Sequence, residues 1–382
     1  MKITIIGAGV AVLGISLVSS SRAVADDKAH DFYFQQQQQR FIVQPQNARM
    51  FAMGGSTRLT ESNSLSVANN PAGLGMMKYG DMSESYSYNE ISGKQFPNET
   101  KLKDKQNSGQ VFGAVPINPV KNGLPDGGNF GMGWHGRYGN WSGDPDDTNS
   151  STYQMSAAYG KAITDTFSIG YGLTYQNDEL NSAQYDYRGS DNFLHTLGAQ
   201  YQGVKDLVLG ATLALGHGTH DLRYEQPTGT NQNVDQVSAA IGTGAEYTMG
   251  TTSLAAGVDY TYYHNNGNND QNGDIAFGGD STGHVMNARV GIEERVADWF
   301  SLRAGYRYGG NFNWQYKRDS LKDLDGNARY NAVSLGAGVQ YAFDDDSVIR
   351  ALQLDYGVEY RSLGYDDWQH LVTIATPFDL CL

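Results

Sequence analysis

Most of the chain alternates, residue by residue, between apolar side chains and small or polar ones. In residues 167–176, Phe, Ile, Tyr, Leu and Tyr alternate with Ser, Gly, Gly, Thr and Gln. Because successive side chains of a β-strand point to opposite faces, this segment predicts a strand with one apolar and one polar face. At least nine further segments repeat the pattern, and from Tyr79 onward the sequence predicts about fourteen strands.

The connections between these segments alternate in length. Short turns recur at residues 164–165, 204–205, 250–251, 297–298 and 344–347. Long polar stretches fall between them, at residues 143–151, 177–191, 217–235, 265–283 and 313–329. Short turns at one end, long loops at the other and aromatic residues near both strand ends are typical of β-barrels in an outer membrane. The connection 118–128 is longer than a turn on its side should be.

The N-terminal part divides into two further segments. Residues 1–25 have the features of a secretory signal peptide: Lys2, an apolar run from Ile3 to Val18, and the small-residue site Ala23-Val24-Ala25. Residues 26–78 lack the alternation and are interpreted as a plug or periplasmic segment. Residues 79–382 are then the barrel, in the outer membrane of a Gram-negative-type bacterium.

Composition narrows the class of protein. The formal net charge of −14 disfavours binding to nucleic acid, whose phosphates require a basic surface. A soluble all-β sandwich or barrel would also alternate, but the second face here is rich in Gly, Ser, Thr, Gln and charged residues, which make a poor core. We therefore expect outer-membrane lipid and the barrel-assembly machinery as partners.

The inward faces raise the question of what fills the barrel. About fourteen strands enclose a lumen wider than small inward residues can fill. The segment before Tyr79 has a suitable length to occupy it. The inward positions also carry charges, which we expect to form salt bridges between neighbouring strands: Arg137, Arg289, Arg303, Arg307, Glu246, Asp259, Glu293, Asp355 and Glu359.

Two short runs in the N-terminal segment carry a family resemblance. Residues 48–55 (ARMFAMGG) followed by 68–75 (ANNPAGLG) resemble the N-terminal signature of the FadL-type outer-membrane transporter superfamily, and related PorV-like barrels share similar runs. The resemblance implies a fourteen-strand barrel with its N-terminus folded into or beneath it, and uptake of fatty acids or other hydrophobic molecules. It makes Arg49, Asn70, Pro71, Ala72 and Gly73 candidate ligand or plug residues.

The same residues allow a simpler interpretation. Asn70-Pro71 favours a turn, and Gly73 and Gly75 permit a positive φ. Residues 69–75 could therefore be an ordinary tight connection into the first strand.

Three functions remain open at this point. The first is a passive, non-enzymatic channel for small hydrophobic ligands, such as fatty acids. The second is a PorV-like adaptor that presents loops to partner proteins, which the polar loops and charged lumen favour. The third is a membrane-embedded hydrolase.

The sequence gives only weak evidence for a catalytic or metal-binding site. No motif specifies a catalytic triad around the histidines, which we interpret as strand-end residues at a membrane interface: His135, His195, His217, His220, His264, His284 and His370. The acidic runs 144–147 and 323–327 lack full calcium-loop spacing. We expect no cofactor and no metal.

Overall fold

A computed structural model describes residues 45–379, apart from residues 94–101, 118–119, 122–123, 143–147, 182–184, 225–230, 269–280, 317–323, 345–346 and 363–365. The predicted signal peptide and the acidic run 144–147 lie outside the described residues. Within the described ranges, no helix is long and apolar enough to cross a membrane.

The protein forms a closed antiparallel barrel of fourteen strands, which confirms the predicted fold class. The barrel strands are β1 (Gly80–Gly93), β2 (Leu102–Pro116), β5 (Asn129–Ser142), β6 (Thr148–Thr164), β7 (Phe167–Asn181), β8 (Tyr185–Val204), β9 (Leu207–Tyr224), β10 (Asn231–Met249), β11 (Thr252–Asn268), β12 (Ser281–Ala297), β13 (Phe300–Tyr316), β14 (Leu324–Ala342), β15 (Ala351–Ser362) and β16 (Asp366–Phe378). Each strand pairs with its neighbour in sequence, and β1 closes the ring on β16. The long turn 118–128 contains a small hairpin of β3 (Val120–Lys121) and β4 (Leu124–Pro125).

The alternation separates the two faces of the barrel wall as predicted. Leu209, Ile241 and Val290 point outward, with 39%, 56% and 53% of their surface exposed. Outward side chains form a wide apolar belt, whereas the buried positions between them are mostly small or polar. One departure is Glu84 on β1, which is exposed between Ile374 and Val111 on the two neighbouring strands.

The strands are longer than the sequence pattern predicted. Residues 177–191 were expected to be a loop, yet β7 continues to Asn181 and β8 begins at Tyr185. The same holds for the other long connections: β9 reaches Tyr224 and β11 reaches Asn268. Ladder hydrogen bonds do not require apolar side chains, so pairing continues beyond the apolar belt. The hydrophobic-polar alternation in the sequence therefore located only the apolar belt and not the full length of each strand.

Residues 45–77, which we call the plug, lie inside the barrel. The plug contains helix α1 (Ala48–Ala52), a 3-10 turn (Ser64–Val67) and helix α2 (Ala72–Gly75). Its apolar side chains Met50, Leu65 and Leu74 are buried in one cluster with Phe112 and Ala158 of the barrel wall. The plug therefore shares a hydrophobic core with the inward face of the sheet. Its contacts lie in the half of the barrel nearer the short turns, which we call the turn end; the opposite end is the loop end.

Candidate functional site: the plugged lumen

Inward glycines give the plug its room. On one side, a Cβ added at Gly170 or Gly210 would overlap the plug backbone at Pro71 or Leu59. A Cβ would also overlap backbone or side-chain atoms of the plug at glycines on several other strands: Gly160, Gly198, Gly291, Gly305 and Gly336. The small inward residues that seemed to leave the lumen empty are therefore the surface on which the plug docks.

The asparagine-proline run docks the plug on the wall formed by β6–β9. The Asn70 side-chain amide donates to the carbonyl oxygens of Leu59, at 2.7 Å, and Ala199 on β8, at 3.2 Å. The Ser168 hydroxyl on β7 donates to the carbonyl oxygen of Ala72 at 2.8 Å. Residues 70–73 thus contact strands far from β1 in sequence, and they are more than a connection into the first strand.

Gly73 and Gly75 allow close packing against neighbouring backbone; they do not provide an unusual backbone angle. Glycine permits a positive φ, but neither Gly73 nor Gly75 adopts one. A Cβ at Gly73 would overlap the Glu61 carbonyl oxygen, and one at Gly75 would lie 2.6 Å from the Lys161 backbone. The positive φ angles of the plug occur at Gly54 (66°) and Gly55 (78°), just after α1.

Arg49 joins the plug to two strands of the barrel. Its guanidinium contacts the carboxylates of Glu246 on β10 at 2.7 Å, Glu293 on β12 at 3.1 Å and Glu61 of the plug at 3.3 Å. Burial acts to lower the pKa of Arg49, but these three carboxylates outweigh it and hold the pKa well above its ordinary value. Arg49 is therefore a permanent cation among several buried anions.

The other predicted lumen charges also point inward, but the pairing differs in part from the prediction. Arg289 on β12 pairs with Asp259 on the neighbouring strand β11, as expected. Arg303 on β13 contacts Glu293 at 2.5 Å and also reaches Asp355 on β15, two strands away, at 2.6 Å.

The two remaining predicted arginines, Arg307 and Arg137, have different partners. Arg307 on β13 pairs with Glu359 on β15, again across β14. Arg137 lies outside the cluster on β5 and donates to Gln106. We call seven of the inward charged residues of β11–β15 the charged wall: Asp259, Arg289, Glu293, Arg303, Arg307, Asp355 and Glu359.

Sequence reasoning missed a second plug cation. Arg58 donates from Nε to the Asn69 side chain at 3.2 Å and from Nη1 to Asp259 at 3.4 Å. It does not belong to either family-like run, and no spacing in the sequence links it to β11. Only the fold of the plug places it there.

A cavity lies beside Arg58, on the loop-end side of the plug. Its volume is about 120 Å³. Pro45, Leu59 and Ala68 of the plug form one boundary. The opposite boundary, which we call the neutral wall, is formed by uncharged inward residues of β7–β10: Thr174, Thr196, Thr212, Ala214, Ser238 and Ala240.

The histidines lie in two environments. His195, His284 and His370 are outward, and each has a tyrosine hydroxyl 2.6–2.7 Å from its Nδ1. His135 was expected at an interface, but it is buried in the lumen near the Gln154 side chain. Across the described ranges, no three His, Cys, Asp or Glu side chains group as a metal site would require.

Comparison with solved structures identifies the architecture. A FadL homologue from Pseudomonas aeruginosa superposes with a TM-score of 0.59, at 14% identity, over 88% of this chain and 99% of that one. The fold is that of the FadL-type barrels. The toluene transporters TodX of Pseudomonas putida (TM-score 0.55, 12% identity, 88% and 99% coverage) and TbuX of Ralstonia pickettii (0.52, 15%, 89% and 100%) share it.

Sequence comparison adds no closer relationship. No protein-family model and no curated protein matches the chain significantly. The FadL-type fold accounts for the fourteen strands over nearly the full length of each neighbour. The function must be argued from the lumen itself.

Proposed function

We propose that the protein is a passive channel in the outer membrane that admits small hydrophobic molecules, fatty acids among them. The single observation that carries the proposal is a cavity bounded by a neutral wall above an internal plug, inside a FadL-type barrel. A molecule entering from the loop end would reach this cavity before the plug. The apolar belt on the outer surface supports contact with membrane lipid.

The proposed channel is not an enzyme. Its structural neighbours include toluene transporters, and the neutral side chains around the cavity are mainly threonine, serine, alanine, asparagine and glutamine, without an arranged nucleophile and base among the described residues. Ligand passage would then depend on binding in the cavity and on movement of the plug. The adaptor alternative gains no support from the comparisons.

The proposal is tested by uptake in intact cells whose outer membrane excludes hydrophobic molecules. Cells that make the full chain are given radiolabelled toluene or octanoate, and uptake is followed with time. We expect faster uptake of at least one compound than in cells without the protein. Equal uptake of both compounds, with the barrel present in the outer-membrane fraction, would overturn the channel.

A further inference from the structure

Hydrogen-bonded tyrosines recur around the outer surface of the barrel. Each reaches a side chain on the next strand that lies two positions closer to the loop end than the residue opposite the tyrosine. The hydroxyl oxygen lies 2.5–3.3 Å from the amide oxygen or imidazole nitrogen in these pairs: Tyr86–Asn107, Tyr138–Asn149, Tyr171–His195, Tyr260–His284, Tyr306–Asn331 and Tyr356–His370. Such amphipathic side chains are typical of the boundary between the apolar belt and the lipid headgroups.

On β13 and β14, an arginine lies next to one of these pairs. Arg329 is exposed on the outer face, opposite Gly310, and its guanidinium carbon lies 4.9 Å from the centre of the Phe312 ring. The Phe312 ring packs edge-on against the ring of Tyr308, with 5.9 Å between their centres. Gly310 has no side chain to fill the space opposite Arg329, and the attraction between cation and ring holds the guanidinium on the outer surface.

The position of Arg329 along its strand corresponds to the level of lipid headgroups. Arg329 and Tyr341, the outward aromatic residue near the turn end, lie on the same face of β14. At about 3.3 Å per residue and a tilt of about 40°, their separation spans about 30 Å across the membrane. The apolar belt of such a barrel is about 25 Å tall, so Arg329 lies just beyond its loop-side edge.

The groups around Arg329 are hydrogen-bond donors. The Tyr306 hydroxyl donates to Asn331 Oδ1 at 2.5 Å, which directs the amide nitrogen of Asn331 away from that tyrosine. Tyr308 lies directly opposite Asn331, and Arg329 is two residues before Asn331 on the same face. Within the described residues, the Arg329 guanidinium, the Asn331 amide nitrogen and the Tyr308 hydroxyl have no acceptor, and no carboxylate pairs with Arg329. This face is therefore complementary to an anion.

We propose that this face, which we call the headgroup site (Tyr308, Phe312, Arg329 and Asn331), binds the phosphate of a glycolipid in the outer leaflet of the membrane. The planar guanidinium of Arg329 matches two phosphate oxygens, and Asn331 and Tyr308 supply further donors to the same group. The inference rests on the outer-membrane location in the proposed function. It does not depend on passage of any molecule through the lumen.

The surface next to the headgroup site suits the acyl chains of such a lipid. Val333 and Leu335 follow Asn331 toward the turn end on the outer face of β14, with 53% and 56% of their surface exposed. A lipid whose phosphate is held by Arg329 would lay its chains over these two side chains. A free phosphate ion would gain the polar contacts alone, so the site favours the lipid.

The test compares two glycolipids that differ only in phosphate. Phosphorylated lipid A, and the same lipid after its phosphates are removed, are titrated into the full-length protein in detergent micelles. Native mass spectrometry measures the bound fraction. We expect the phosphorylated lipid to bind about tenfold more tightly, as a charge-assisted pair requires. Inorganic phosphate at the same concentration should not displace it.

Three variants locate the effect. Arg329→Gln should abolish the preference for the phosphorylated lipid. Arg329→Lys should keep part of it, because the charge remains without the planar fork of donors. Arg295→Gln is the matched control, since Arg295 is also exposed but lies beside the turn after β12, and its preference should equal that of the natural chain. Folding of each variant is checked by its circular dichroism and its heat-dependent gel mobility.

The outcomes are distinct. Equal binding of the two lipids by the natural chain would overturn the headgroup site, and so would a preference that persists in a folded Arg329→Gln variant. Displacement of the lipid by an equal concentration of inorganic phosphate would also overturn it, in favour of a site for free phosphate.

Uptake of toluene and octanoate, measured separately in cells, distinguishes the two proposals. Phosphate-dependent lipid binding without uptake would overturn the channel and support the headgroup site. Uptake without phosphate-dependent binding would support the channel and overturn the headgroup site.

Discussion

The charged wall and the neutral wall belong to the same barrel, but their inward side chains differ in charge. On β11–β15, inward carboxylates and guanidiniums pair with one another and with Arg49 and Arg58 of the plug. On β7–β10, the inward residues that line the cavity carry no charge, and space remains between them and the plug.

This difference shows how a barrel can hold a plug firmly and still leave space for a ligand. Buried ion pairs are costly to break, since each removed partner leaves an uncompensated charge. They therefore fix the plug against one side of the lumen. The neutral wall on the opposite side has no ion pairs to the plug, so a ligand beside it would not disturb the pairs of the charged wall.

The largest loss of stability is expected when the plug loses its ion pairs with the barrel wall. Arg49→Ala would leave Glu61, Glu246 and Glu293 without their shared cation, at a cost of about 3–5 kcal/mol. The plug should then detach from β10 and β12 and leave the lumen open. Single-channel conductance in planar bilayers should rise well above that of the natural chain.

Arg350→Gln is the control for this change, since it also removes one cation with an acidic partner. Its conductance should match that of the natural chain. A closed Arg49→Ala barrel with unchanged resistance to urea would show that the charged wall does not hold the plug.

A smaller effect is expected where the plug docks beside the neutral wall. In Gly210→Ala, the new methyl group would overlap the Leu59 carbonyl oxygen, and we expect a loss of about 1–3 kcal/mol in the free energy of unfolding. Urea titration with a tryptophan-fluorescence readout measures it.

The matched control is Gly113→Ala on β2. Gly113 has no atom within 4 Å of an added Cβ, so this variant should be as stable as the natural chain. Equal losses in both variants would mean that glycine is needed for the strand and not for the plug.

Filling the cavity should change transport more than stability. Ala240→Trp places a large ring on the neutral wall, and we expect uptake of the transported compound to fall to that of cells without the protein. Ala239→Trp, one residue away, points outward and should transport normally. If both variants transport alike, the ligand path does not follow the neutral wall.

The smallest effect is expected from salt. Ion pairs with little exposed surface are screened far less than surface charges. Raising the salt concentration from about 0.1 M to about 1 M should change the free energy of unfolding by less than about 1 kcal/mol. A large loss would indicate that the pairs of the charged wall are open to solvent.

Much of the fold could be predicted because the alternation has the same period as the strand. The outward positions Leu209 and Ile241 follow directly from it. The strand ends could not be placed, because beyond the apolar belt both faces are polar and the period disappears. The pairing of β7 and β8 past Gln176 is an example.

The lumen was harder to predict for a geometric reason. Arg303 reaches Asp355 across β14 because Gly338 lies between them, where a Cβ would overlap both side chains. Such a contact depends on barrel curvature and on a missing side chain, neither of which appears as a pattern of charges. Arg58 was missed because its partner is 201 positions away in the sequence.

The closure of β1 on β16 has a consequence for biogenesis. The plug precedes β1, and β16 completes the ring around it. Among the described residues, the first segment of the chain is thus enclosed by a ring that the last barrel strand completes. Residues 45–77 can be fully enclosed only once β16 pairs with β1.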